Sequence, residues 1–184
     1  MREIGRRSGF TALIMLALGA AGLCDRAAAA APAHADPVCN APEYRQFDFW
    51  LGDWEVFDTQ ARSSVARLQV QSILNGCVLL EIYRDLSGNE GRSFSIYDAT
   101  RGVWHQSWVT NHGHLLIIEG QFHDGVMQLT GTDLPAPGGA RRLVRGTWQA
   151  TKDGVREIAV RSNDAGKTWQ PWFDLLMRPR GRGR

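Results

Sequence analysis

Between Trp50 and Arg178 the chain alternates apolar and polar residues in segments of about ten, each closed by Gly, Asn, Asp or Pro. A period of two puts successive side chains on opposite faces of an extended chain, so these segments are strands and not helices. The pattern predicts strands over 50–58, 64–74, 77–87, 91–100, 102–110, 114–122, 126–133, 141–150, 155–163 and 169–178. The breaks include Asn75-Gly76, Ser87-Gly88-Asn89-Glu90-Gly91, Asp124-Gly125, Pro135 to Gly139, Asp153-Gly154 and Ala165-Gly166, residue types that suit tight turns. Links this short join antiparallel neighbours and leave no room for a parallel crossover. About ten strands in such a meander must curl or close, because a long open sheet exposes two edges. The expected fold is all-β, a single up-and-down antiparallel β-barrel. Glu43 to Phe49 is expected to form a short helical turn that plugs one end.

The N-terminal segment breaks this pattern. Arg2, Arg6 and Arg7 precede an uncharged run from Ser8 to Leu23, whose apolar stretch is Ala12 to Leu18, and an alanine-rich segment ends at Ala33-His34-Ala35. Positive, apolar and small-residue regions in that order make a cleavable export signal. The apolar stretch falls short of the ~20 residues that span a bilayer. The expected division is a signal peptide over 1–35 and a barrel domain over 36–184, periplasmic or secreted. Arg6-Arg7-Ser8-Gly9-Phe10 hints at twin-arginine export, while Leu23 is too large a residue before Cys24 for lipoprotein processing.

Removing the signal changes the charge and cysteine arguments. The whole chain has 21 basic and 19 acidic side chains. Arg2, Arg6, Arg7 and Arg26 leave with the signal, as do Glu3 and Asp25, so the remaining domain has equal numbers of each. A neutral domain gives no reason to expect a nucleic-acid partner. Only the tail, with Arg178, Arg180, Arg182 and Arg184, is locally basic, and a solvated, frayed terminus is expected there. Cys24 also leaves, and Cys39 and Cys77 remain. In an oxidising compartment they favour one disulfide, with two buried thiols as the alternative.

Strand parity identifies a candidate interior. Trp104, Gln106 and Trp108 share one face of their strand, Leu79, Glu81 and Tyr83 share another, and Ser93, Ser95 and Tyr97 a third. If these faces line the lumen, aromatic walls surround a few polar groups, which is how small-molecule pockets are built. The candidate ligand-binding residues are Glu81, Tyr83, Ser95, Tyr97, Trp104, Gln106, Trp108 and Arg145, with Arg145 expected to pair with a buried Glu81. The expected partner is a small apolar or aromatic molecule. Desolvation among aromatics raises a carboxyl pKa, so Glu81 is also the candidate general acid or base. No Gly-x-Ser-x-Gly and no phosphate loop is present, so nothing supports nucleophilic catalysis.

His112-Gly113-His114, with His105 and His123 nearby in sequence, raises the question of a metal. Zinc needs three or four convergent ligands, and no third is identified. The histidines are expected in surface loops, with no metal and no cofactor. Ser162-Asn163-Asp164-Ala165-Gly166-Lys167-Thr168-Trp169 matches the Asp-box pattern familiar from sialidases, and a single box is expected to be a structural turn.

Phe47-Asp48-Phe49-Trp50-Leu51-Gly52-Asp53-Trp54-Glu55-Val56 resembles a family of exported bacterial proteins, the domain of unknown function 1579 family. The resemblance continues through Asn75-Gly76-Cys77, Glu81, Ser93 to Asp98, Trp104 to Val109 and Ser162 to Trp169, and so covers nearly the whole mature domain. Where this chain has Thr110-Asn111-His112-Gly113, that family usually shows an Asp after the Trp-Val pair. The resemblance implies a calycin, or lipocalin-like, barrel, with Gly52-Asp53-Trp54 similar to the lipocalin Gly-x-Trp. By that analogy Trp54 closes the base beside an arginine from a late strand, either Arg161 or Arg178. Related nitrobindin barrels bind haem through a late histidine, and no histidine follows His123 here. The favoured expectation is an exported barrel binding a small, largely apolar ligand in its lumen. The alternatives are a cofactor-free isomerase, cyclase or lyase using Glu81, and a structural or interaction module of the cell envelope.

Overall fold

The computed structural model describes residues 39–61, 63–133 and 141–181; the expected signal peptide, the break at Pro135 to Gly139, and Arg182 and Arg184 lie outside them. Ten strands form: β1 (Gly52–Asp58), β2 (Ser64–Ile73), β3 (Val78–Asp85), β4 (Glu90–Asp98), β5 (Val103–Thr110), β6 (Leu115–His123), β7 (Val126–Asp133), β8 (Arg142–Thr151), β9 (Gly154–Ser162) and β10 (Gln170–Pro179). Each begins and ends within two residues of its expected bounds. Every strand pairs antiparallel with the next, and β10 returns to β1, with Trp54 opposite Pro179 and Asp58 opposite Leu175. Closure leaves no free sheet edge. No helix among the described residues is long and apolar enough to cross a membrane.

One end of the barrel is filled by the segment before β1. Two 3-10 turns, Pro42–Arg45 and Asp48–Trp50, drive Phe47 and Trp50 between the strand ends. Phe47 stacks on Trp50 at 4.9 Å and meets Trp104 and Trp148 edge-on, both at 5.6 Å. Buried indoles need partners for their N–H groups, and three find them here. Trp50 Nε1–H donates to Met177 Sδ at 3.1 Å, Trp54 Nε1–H to the Trp50 carbonyl at 3.0 Å, and Trp104 Nε1–H to Gln46 Oε1 at 3.1 Å. The expected plug is therefore present, although it is two short turns and not one.

A disulfide between Cys39 and Cys77 fastens this plug to the turn after β2, with the Cα atoms 5.1 Å apart. Closing a loop over a separation of 38 residues removes chain entropy from the unfolded state equivalent to roughly 4 kcal/mol. Arg45 adds a hydrogen bond to the Gly76 carbonyl and an ion pair with Asp48 at 3.4 Å.

Two expectations are corrected at this end. Trp54 closes the base without a late-strand arginine: Arg161 lies over the Trp172 ring and Arg178 over Phe57. The tail is not frayed as far as Arg180, because β10 carries Arg178 and the Arg180 guanidinium reaches Asp53 at 3.3 Å. The Asp box is a turn, as expected. Ser162 Oγ accepts from the Gly166 amide, Asp164 accepts from the Thr168 amide, and Trp169 Nε1–H donates back to the Gly166 carbonyl.

Candidate ligand site in the barrel lumen

Away from the plug, the inward faces of the strands enclose a cavity of about 360 Å³. Its apolar wall comes from Val56, Leu68, Leu116, Ile118, Val144 and Met177, and its aromatic wall from Tyr83, Trp108, Trp148, Trp172 and Phe173. Trp172 and its neighbour Phe173 both reach the cavity because the β9–β10 register slips between Pro171 and Phe173, a bulge that breaks the alternation. Two strand glycines let indoles lie along the wall. A Cβ at Gly91 would stand 2.1 Å from the Trp108 ring, and one at Gly146 would stand 2.6 Å from Trp148. Glycine in a strand interior is unfavourable by itself, so its use here reflects close approach.

Four polar side chains face this space: Glu81, Gln106, His114 and Glu157. Glu81 is 7% exposed and stands opposite Ser93 in the β3–β4 pairing. Ser93 Oγ donates to Glu81 Oε2 at 2.6 Å, while Oε1 has no hydrogen bond among the described residues. Burial pushes the Glu81 pKa up to about 7, with the Ser93 hydrogen bond and the Arg92 charge working against that rise. Gln106 Nε2 donates to Ser95 Oγ at 2.9 Å, which fixes the amide from behind.

Glu157 is half-buried on β9, opposite Trp148 on β8. Burial and then repulsion from Glu81 push its pKa up to about 8, offset in part by the nearby Trp148 indole. That indole N–H is itself buried without a partner at normal hydrogen-bond geometry. Tyr83, between the two acids and Asp85 electrostatically, is pushed up to about 12 by burial first and by those negative charges second, so it stays neutral.

A charged cluster forms the rim. Asp133 is 1% exposed and accepts from His114 Nε2 at 2.7 Å and from Arg142 Nε at 2.8 Å. Burial opposes ionisation of Asp133, but these two hydrogen bonds prevail and hold its pKa below the usual range. Arg161 stacks 3.1 Å from the Trp172 ring centroid. Burial and the Arg142 charge lower its pKa to about 10, which leaves it protonated at neutral pH.

Of the residues expected in the site, Glu81, Tyr83, Gln106 and Trp108 line the cavity. Ser95 sits behind Gln106. Trp104 and Tyr97 belong to the plugged end, where Tyr97 meets Tyr44 edge-on at 5.4 Å. The expected Glu81–Arg145 pair is not formed. The inward positions of β8 are Val144, Gly146 and Trp148, so Arg145 points outward and covers the Trp169 ring of the Asp box at 4.0 Å.

The histidine expectation is corrected as well. His112 and His123 are exposed, and His105 pairs with Glu119 on the outside at 2.7 Å, but His114 faces the lumen. Glu157, Trp148 and Trp172 were also absent from the expected set. Among the described residues no three His, Cys, Asp or Glu side chains converge on a metal position.

The closed meander, the plugged base and the hollow upper half define a calycin-like, up-and-down β-barrel. Beyond that class, no family model matches the chain and no curated protein matches it as a relative.

Proposed function

We propose that this protein is an exported barrel that carries a small, largely apolar ligand in its lumen. The cavity is the observation that supports this: about 360 Å³ lies within the roughly 300–1,000 Å³ typical of ligand pockets. Its aliphatic and aromatic walls supply contact area, and a few fixed polar groups supply orientation. The leader-like N-terminus, the Cys39–Cys77 bridge and the resemblance to an exported family support an oxidising, extracytoplasmic setting. Native mass spectrometry of protein purified from its own host should show a copurifying small molecule. A bare protein that also fails to take up an apolar fluorescent probe would overturn the proposal.

A second reading is favoured by Glu81 alone. Its pKa of about 7 and its unpartnered oxygen suit a general acid or base in a cofactor-free isomerase, cyclase or lyase. On that reading, Glu81→Gln abolishes conversion of the copurifying molecule while the molecule still binds.

A further inference from the structure

The cavity lining has two carboxyl groups and neither lysine nor arginine. The counter-ion expected for Glu81 is outside the barrel on Trp169, and Arg92 reaches Glu81 only through its charge. Glu157 has no basic partner among the described residues either. Two carboxylates in a desolvated space repel, and the protein can relieve that only by taking up protons or a cation. The rim does not neutralise the pair: His114 and Arg142 are held by Asp133, and Arg161, whose Nε has no hydrogen-bond partner among the described residues, is stacked on Trp172 and has no charge effect on either acid.

Around the two acids are groups that suit an organic cation. Glu81, more than nine-tenths buried, has Oε1 without a hydrogen bond among the described residues. Trp148, Trp108 and Tyr83 add aromatic rings, and a ring that turns its face to an ammonium group attracts it electrostatically. The remaining wall at Leu68, Leu116 and Ile118 takes a hydrocarbon body. An anionic head seated between the acids would meet two carboxyls and no lysine or arginine of the cavity lining.

We propose that the lumen selects ligands bearing an alkyl- or arylalkylammonium group, seated between Glu81 and Glu157 against the aromatic wall. This rests on the lumen-binding reading and adds the ligand's charge to it. An ammonium with a lysine-like pKa near about 10.4 arrives protonated at neutral pH. Its charge favours the ionised acids, so binding releases protons from the carboxyl pair to solvent and strengthens as pH rises from about 6 to 8. The groups facing the pair are Tyr83, which stays neutral, the outer Arg92, and at the rim His114, Asp133, Arg142 and Arg161.

The test is calorimetric titration of the purified protein with n-octylamine, 1-octanol and octanoate, at pH 5.5 and pH 8 and in buffers of different ionisation enthalpy. At pH 8 octylamine should bind about tenfold tighter than octanol, a preference worth one cation–π contact with partial ion pairing. Octanoate should bind weakest. Octylamine binding should release protons, and its preference should shrink at pH 5.5. In the double variant Glu81→Gln, Glu157→Gln, octanol binding should persist, while the amine preference and the proton release disappear. Octanol or octanoate binding as tightly as the amine to the unaltered protein would overturn the charge proposal and leave lumen binding standing. Failure of all three to bind would overturn both. The comparison in the unaltered protein decides the matter even if the double variant does not fold.

Discussion

The two ends of this barrel are built by the same ten strands with the same alternation, yet one is packed solid and the other is hollow. At the plugged end the inward positions carry Trp54, Trp104 and Trp148, the incoming segment adds Phe47 and Trp50, and the N–H groups of Trp50, Trp54 and Trp104 are satisfied. At the hollow end the inward positions include Gly91, Ser93, Gly146 and Ala159, and the polar groups left without full partners among the described residues include Glu81, Glu157, the Trp148 indole and Arg161 Nε. Trp148 touches both regions, with Phe47 and Trp50 on one side and the cavity on the other. The difference separates two jobs: large side chains and a disulfide fix the fold, while small ones keep space open at some cost in stability.

The sharpest way to break that comparison is to remove an indole from each end. Trp50→Ala deletes a side chain that is 1% exposed, and should cost about 3–5 kcal/mol in urea unfolding. Trp108→Ala, on the half-buried cavity wall, leaves space that already adjoins a cavity and should cost less than half as much, about 1–2 kcal/mol. Equal losses would mean that the hollow end supports the fold as much as the plug does.

These two regions were not equally legible in the sequence. The strands were, because Gly, Asn and Asp mark their ends and polarity alternates clearly in β2, β4 and β5. The plug was visible too, as an aromatic cluster just before the first strand. The cavity residues that escaped notice sit where polarity contrast fails. In Leu115-Leu116-Ile117-Ile118 both faces are apolar, and Leu115 and Ile117 turn outward and remain exposed, so parity could not be carried back to place His114 inside. In β9 the inward residues are Val155, Glu157 and Ala159, while Ile158 and Val160 are on the outer face. The more apolar face is therefore the wrong one. Arg145 was misplaced for a different reason: its partner, Trp169, is brought to it by the Asp-box turn and is remote in sequence.

A smaller effect tests the acids without any ligand. Glu81 and Glu157 both have folded-state pKa values, about 7 and about 8, above the ordinary 4.5. Between pH 4.5 and 8 the folded protein therefore holds protons that the unfolded chain has lost, and stability falls as pH rises through that window. The surface acids behave oppositely: Glu119 and Asp164, held near about 2 by hydrogen bonds from Arg101 and Thr168 respectively, contribute stability that is lost only as pH drops below about 4. Thermal or urea unfolding should thus show greatest stability near pH 5, with a decline toward pH 8.5. Glu81→Gln combined with Glu157→Gln should flatten that decline. A decline of the same size in the double variant would show that these two acids are not its source.

The smallest change in stability should accompany the most direct test of whether the space itself matters. Ala159 lines the cavity and is 2% exposed, so Ala159→Leu extends a branched side chain into the open volume without meeting the plug. Cavity filling of this kind should alter unfolding free energy by less than about 1 kcal/mol, because new contacts offset the lost rotamer freedom. Uptake of octanol or an apolar probe should fall by at least about tenfold, since displaced volume is volume a ligand cannot occupy. At the plugged end, Val155 is 1% exposed on β9 opposite Met177, the partner of the Trp50 indole, and Val155→Phe should instead strain the packing and cost about 1–3 kcal/mol. An Ala159→Leu variant that unfolds like Val155→Phe would show that the hollow end has no spare space in solution, and the contrast between the two ends would be lost.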